Sequence, residues 1–248
     1  MPEKTKIYFA SDFHLGIPDR ERSLEREKRI IRWLDSIKSD ASEIYFVGDI
    51  FDFWFEYKTV IPRGYTRLLG KMAKIADSGI PLHVFTGNHD MWQFGYLEEE
   101  IGVKLYREPI IREISGKKFF IGHGDGLGPG DYGYKFIKKI FANSVCQWLF
   151  ARLHPNFSIG IANFWSRRSR IANGEEVFNG EDKEWLLLFS KNYLKKEHID
   201  YFIFGHRHLA LDLKVGENSR YINLGDWVNL NTYAVFDGSD LELKKFEE

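Results

Sequence analysis

Glu43-Ile-Tyr-Phe-Val47 runs straight into Gly48-Asp49-Ile-Phe-Asp52: a short run of β-branched and aromatic residues that ends on a glycine and a carboxylate. Such a run reads as a buried strand. The same arrangement recurs along the chain. Lys6 to Ala10 leads to Asp12-Phe-His14, and Leu82 to Phe85 leads to Gly87-Asn88-His89-Asp90. Lys118 to Ile121 leads to Gly122-His123-Gly124-Asp125, and Tyr201 to Phe204 leads to Gly205-His206-Arg-His208.

Helix-period stretches lie between the early runs, Leu24 to Ile37 and Tyr65 to Ala76, so strand and helix alternate and an α/β layered fold is expected. In open α/β sheets the loops at the carboxyl ends of strands converge on the ligand, which brings the polar blocks together. After Tyr201, closely spaced strands with Gly and Asn turns read as an antiparallel stretch forming a second sheet. Residues 132–174 are mostly helical in period and broken at His154-Pro155, an inserted helical cap within a single domain of residues 1–248.

With 44% hydrophobic and 29% charged residues, the composition is that of an ordinary globular protein. The one cysteine, Cys146, excludes a disulfide framework and a thiolate zinc cluster, and a reducing, cytoplasmic setting is expected. The N-terminus shows no export signal and no run approaches the roughly 18 apolar residues of a spanning helix, so neither export nor membrane integration is expected. The net charge of −1 hides an imbalance: residues 132–174 hold seven Lys/Arg and no Asp or Glu, leaving −8 on the remainder. Nine aromatic residues accompany those cations, among them Phe136, Trp148 and Trp165. The mixture suits an anionic amphiphile or an acidic membrane surface. It does not form the long basic track that nucleic acid needs.

Each polar block alone could be a capped turn; five of them at five strand ends point to metal. Carboxylate and amide oxygens with imidazole nitrogens suit two divalent ions, Mn²⁺ first, with Fe²⁺, Co²⁺ or Zn²⁺ as alternatives. Residues at i and i+2 of an extended segment share a side, so Asp12 with His14, and His206 with His208, can each bind one ion together. Asp49 is the expected bridge, because a carboxylate can span two metals and an imidazole cannot. Asn88 offers a neutral oxygen, and Asp52 is expected to cap a following helix, the alternative being that it orients a metal ligand. His83, His154 and His198 lack such settings and are expected to be ordinary histidines.

In their order and spacing these blocks resemble the calcineurin-like metallophosphoesterase superfamily. The resemblance implies a four-layer α/β/β/α sandwich and a dinuclear centre, with Asp12, His14, Asp49 and His208 on one metal and Asp49, Asn88, His123 and His206 on the other. A narrower resemblance, to the UDP-2,3-diacylglucosamine pyrophosphatases of lipid A biosynthesis, rests on Gly48-Asp49-Ile-Phe-Asp52-Phe-Trp54, on His123-Gly-Asp125 with Asp131-x-Gly133-Tyr134, and on Ser166-Arg-Arg-Ser169-Arg-Ile-Ala-Asn173. It implies a nucleotide-linked acylated sugar as substrate, contacted by Asn88, His89, Asp131, Ser169, Arg170, Asn173 and His206, and a location at the cytoplasmic face of the inner membrane. This chain departs from that pattern in having His89 where many members have arginine, and Glu175-Glu176 where a basic residue is expected.

The expected chemistry is in-line attack of a metal-bridging hydroxide on phosphorus. His89 is expected to steady the phosphoryl group or protonate the leaving oxygen, with Asp90 or Asp12 fixing its orientation. The competing readings are a metallophosphoesterase of another substrate class, and a non-catalytic scaffold that keeps the fold. A scaffold would be expected to have lost ligands, and all seven are present.

Overall fold

The computed structural model describes residues 4–130, 132–173 and 177–247, with the side chains of 163, 165 and 167–173 outside the description. Strands β1 (Lys6–Ala10), β2 (Ala41–Val47) and β3 (Leu82–Phe85) lie parallel, joined by α1 (Arg20–Ile37) and α2 (Thr66–Asp77). In α1 the buried residues Ile30, Trp33, Leu34 and Ile37 recur at helical spacing and form the face laid on the sheet. Asp19 starts that helix by accepting the Arg22 amide at 2.9 Å. No side chain at Tyr65 caps α2. Instead Glu27 reaches across from α1 and accepts the amides of Arg67 and Leu68 at 3.0 and 2.9 Å.

The chain continues through β4 (Lys104–Tyr106), β5 (Ile110–Ile114) and β6 (Lys117–Ile121). Three helices follow, α3 (Tyr132–Phe141), α4 (Ser144–Phe150) and α5 (Pro155–Asn173), and then α6 (Trp185–Tyr193). The last strands are β7 (Tyr201–Phe204), β8 (Ala210–Val215), β9 (Ser219–Leu224), β10 (Thr232–Phe236) and β11 (Leu241–Lys245). They form a six-stranded sheet, β11-β10-β1-β2-β3-β4, and a five-stranded sheet, β5-β6-β7-β9-β8.

Alternation of side chains along the strands builds the layers. Ile7, Phe9, Tyr45, Val47 and Phe85 of the first sheet meet Phe119, Ile121, Ile203 and Ile222 of the second in one core. Their sequence neighbours Tyr8, Ala10, Ile44, Phe46 and Val84 face outward onto α1 and α2. Phe120, Phe202, Phe204 and Tyr221 likewise face Leu186 and Leu187 of α6. The order is therefore helix, sheet, sheet, helix.

The C-terminal strands differ from the sequence expectation. β7 and β9 pair in parallel, and β10 leaves the second sheet to lie antiparallel beside β1, with Ile7 opposite Phe236. Phe236 and Leu241 complete the core between the sheets, which is what places this hairpin there. Helix α6 also went unread: Trp185-Leu-Leu-Leu-Phe is apolar all round and shows no helical period.

Candidate metal centre

Five parallel or adjoining strands deliver the polar blocks to one end of the two sheets. Among the seven candidate ligands, Asp12, His14, Asp49, His206 and His208 have φ between 43° and 69°. Left-handed backbone is uncommon for residues other than glycine and carries a conformational cost, and such residues gather at functional sites. Here it turns each side chain back into the space between the strand ends.

Each carboxylate is held by one oxygen and presents the other. Asp12 Oδ2 accepts the His206 amide at 3.0 Å, and Oδ1 faces His14 Nε2 at 3.5 Å and His208 Nε2 at 3.3 Å. Asp49 Oδ1 accepts the His89 amide at 2.9 Å, while Oδ2 lies 3.6 Å from His14 Nε2 and 3.3 Å from His123 Nε2. Asn88 Oδ1 lies 3.2 Å from His123 Nε2 and 2.8 Å from His206 Nδ1. Two clusters result: Asp12, His14 and His208 on one side, Asn88, His123 and His206 on the other, and Asp49 between them.

These contacts are those of a cation site rather than of a self-sufficient network. The His14 and His208 Nε2 atoms stand 3.1 Å apart, and Asp12 Oδ1 is buried without a hydrogen bond. The ligand atoms of Asp12, His14 and His208, and those of Asp12, Asp49 and His123, lie within 4.8 Å of one another. Burial disfavours charge on His123, but Asp49 and Asp12 outweigh it and push its pKa up to about 10. Burial and the His123 charge bring His206 down to about 4. The buried carboxylates thus call for positive charge, and mixed oxygen and nitrogen donors without thiolate fit first-row divalent ions.

Neighbours fix the ring orientations, as outer partners of metal-binding histidines do. A carbonyl can only accept, so His123 donates from Nδ1 to Val47 O at 2.9 Å and turns Nε2 inward. His89 likewise donates from Nδ1 to Asp52 O at 3.0 Å, with its ring edge-on to His14 at 4.9 Å between centroids. Asp226 Oδ2 lies 3.6 Å behind His208 Nδ1. Arg26 is buried and binds the carbonyls of Phe13, His14 and Ile17 at 3.1, 2.7 and 2.9 Å, shaping the loop after β1. Arg207, between two ligands, pairs with Glu184 at 3.2 Å and lies 4.0 Å over the Trp185 ring.

Three placements differ from the sequence expectation. His206 and His208, expected to bind one ion together, face different clusters, His208 beside Asp12 and His14 and His206 beside Asn88, because both have left-handed rather than extended backbone. Asp90, expected to be catalytic and to orient His89, is fully buried and accepts the amides of Ile50 at 2.8 Å, Phe51 at 3.3 Å and Gly87 at 2.8 Å. It clamps the Asp49 loop to the Asn88 loop, and burial together with the Asp49 charge pushes its pKa up to about 7. Asp52 caps no helix, because the next one begins only at Thr66. Its carboxylate is buried beside His14 and His89 and accepts the Ser166 hydroxyl at 2.8 Å. The substrate contacts expected at Asp131, Ser169, Arg170 and Asn173, and the Glu175-Glu176 pair, lie outside the described residues and side chains.

Comparison with known proteins gives the same picture. Residues 5–210 match the calcineurin-like phosphoesterase family. A UDP-2,3-diacylglucosamine hydrolase of Porphyromonas gingivalis is 38% identical over 259 residues, covering 99% of each chain. One of Shewanella baltica is 25% identical and covers 98% of this chain and 99% of its own. With its two-sheet sandwich and a metal-ligand cluster at the strand ends, the chain belongs to the calcineurin-like phosphoesterase family, as a metal-dependent hydrolase similar to the UDP-2,3-diacylglucosamine hydrolases.

Proposed function

We propose that the protein hydrolyses the pyrophosphate of UDP-2,3-diacylglucosamine to UMP and 2,3-diacylglucosamine 1-phosphate, using two Mn²⁺ ions. The observation that carries this reading is the attachment of the apolar, basic helices α3 to α5 to the ligand-bearing loops, where Tyr134 and Lys138 contact Asp125 beyond His123 and Trp92 beyond His89 donates to the Phe141 carbonyl. A cleft of about 320 Å³ opens between Phe55, Tyr57 and Phe94 on one side and Gln147, Trp148 and Ala151 on the other. Its mainly apolar walls suit acyl chains, and Lys135, Lys139 and Arg152 carry charge suited to phosphates.

Asp12, His14, Asp49 and His208 would hold one ion, and Asp49, Asn88, His123 and His206 the other. When bound, the two cations supply Lewis acidity and neutralise charge developing at phosphorus. His89 sits at the rim with its Nδ1 proton committed to the Asp52 carbonyl, so Nε2 is the nitrogen that holds or passes a proton toward the substrate. Asn88, His89 and His206 contact the phosphoryl group, and Asp131, Ser169, Arg170 and Asn173 hold the sugar and nucleotide.

The helices α3 to α5 also expose Tyr132, Phe136, Val145, Trp148 and Phe157, Tyr132 to 81%. Such a face beside cations fits peripheral attachment to an anionic bilayer at the cytoplasmic side of the inner membrane. Among the described residues no helix is long and apolar enough to cross a membrane. The test is a mass-spectrometric assay of the protein with UDP-2,3-diacylglucosamine and Mn²⁺. Release of UMP and the lipid 1-phosphate is expected; hydrolysis of simple phosphodiesters alone would overturn the lipid reading.

A further inference from the structure

The helices α3 to α5 are tied to the rest of the molecule at loops that follow metal-ligand blocks. Tyr134 and Lys138 of α3 each contact the Asp125 carboxylate at 2.6 Å, two residues beyond His123. Trp92, three residues beyond His89, donates to the Phe141 carbonyl at 2.8 Å. Tyr57, on the loop after Asp49, meets Ser158 of α5 through their hydroxyls. The fourth tie is Ser166 to Asp52.

That fourth tie reaches a metal-binding ring through a carboxylate. Asp52 is 4% exposed; with Oδ2 it accepts the Ser166 hydroxyl at 2.8 Å, and its Oδ1 lies 3.5 Å from His14 Nδ1 and 3.7 Å from His89 Nδ1. A carboxylate turns about a single bond, so a donor at one oxygen decides where the other stands. Ser166 thereby helps to position the oxygen that faces a metal-binding ring and the rim histidine.

We propose that Ser166 is a positioning residue that couples the docking of α5 to metal binding through Asp52, His14 and His89. The coupling is reciprocal: if α5 in place favours the metal, the metal favours α5 in place by the same factor. The placement of α5 and the occupancy of the metal centre are then linked through one carboxylate. This rests on the metal reading of the site and is independent of the lipid assignment.

The test compares wild type, Ser166→Ala and Ser166→Thr by calorimetric titration with Mn²⁺ and by amide hydrogen exchange across α5, with no substrate present. In wild type Mn²⁺ should slow exchange in α5. Ser166→Ala should bind Mn²⁺ about tenfold more weakly, the range found for outer-sphere partners, and should lose that metal-induced protection. Ser166→Thr keeps the hydroxyl and should restore both. Wild-type Mn²⁺ affinity with full protection in Ser166→Ala would overturn the proposal, as would a Ser166→Thr protein as impaired as Ser166→Ala.

Discussion

Gly87 and Asp49 occupy almost the same space: a Cβ built on Gly87 would lie 2.7 Å from the Asp49 carboxyl carbon. Distances under about 3 Å are not tolerated between such atoms, and the neighbour here is a buried carboxylate with no room to retreat. The glycine of the Asn88 block thus exists for the ligand of another block. Gly87→Ala should keep its secondary structure by circular dichroism and bind Mn²⁺ about 100-fold more weakly. Unchanged Mn²⁺ affinity in calorimetry would contradict the packing described.

Asp90 should prove structural. Its three amide contacts join the Asp49 and Asn88 loops at a fully buried position, and removing it leaves buried donors unpaired at about 1–3 kcal/mol each. Asp90→Ala is expected to lower unfolding free energy in urea by about 3 kcal/mol or more. Full stability with lost turnover would instead make Asp90 a chemical participant.

Away from the site, Glu43 sets an acid limb to stability. It pairs with His83 at 2.9 Å and with Arg112 at 2.6 Å, joining the two sheets. Burial opposes its ionisation, but hydrogen bonds from His83, Tyr45 and Arg112 prevail and bring its pKa from 4.5 to about 2. A carboxylate whose folded pKa is depressed stabilises fully above the unfolded value, and that stability is lost as pH falls from about 4.5 through about 2. Glu43→Gln should be less stable at neutral pH and should show a shallower fall in urea midpoint over that window. Parallel falls for the two proteins would remove Glu43 from the explanation.

The proposed membrane attachment should depend on the exposed rings of helices α3 to α5. Replacing Phe136 and Trp148, 65% and 55% exposed, by Ser should weaken co-sedimentation with vesicles containing anionic lipid. Hydrolysis of a small phosphodiester should stay within about twofold of wild type, because neither ring touches the ligand cluster. Unaltered vesicle binding would locate the membrane contact elsewhere or nowhere.

The sequence disclosed the site better than its supports. Asp12, His14, Asp49, Asn88, His123, His206 and His208 were legible because each follows a strand and a turn residue. Asp226 obeys the same grammar, as Leu224-Gly225-Asp226 closes β9 just as Val47-Gly48-Asp49 closes β2, but it is masked among the closely spaced Gly and Asn turns that follow Tyr201. Arg26 and Glu27 were marked by phase: they fall on the stripe that continues through Ile30 and Leu34, where an exposed pair would not. What could not be read was long-range. That Asp52 would receive Ser166, 114 residues away, follows from how α5 lies on the loop after β2, which no local pattern encodes. The return of β10 to the first sheet is of the same kind.

The measurement closest to the central claim is anomalous diffraction at the manganese edge from crystals grown with Mn²⁺. Two peaks are expected, one among Asp12, His14 and His208 and one among Asn88, His123 and His206, with Asp49 Oδ2 within bonding distance of both. A single peak, or two of which Asp49 touches only one, would contradict the shared dinuclear centre.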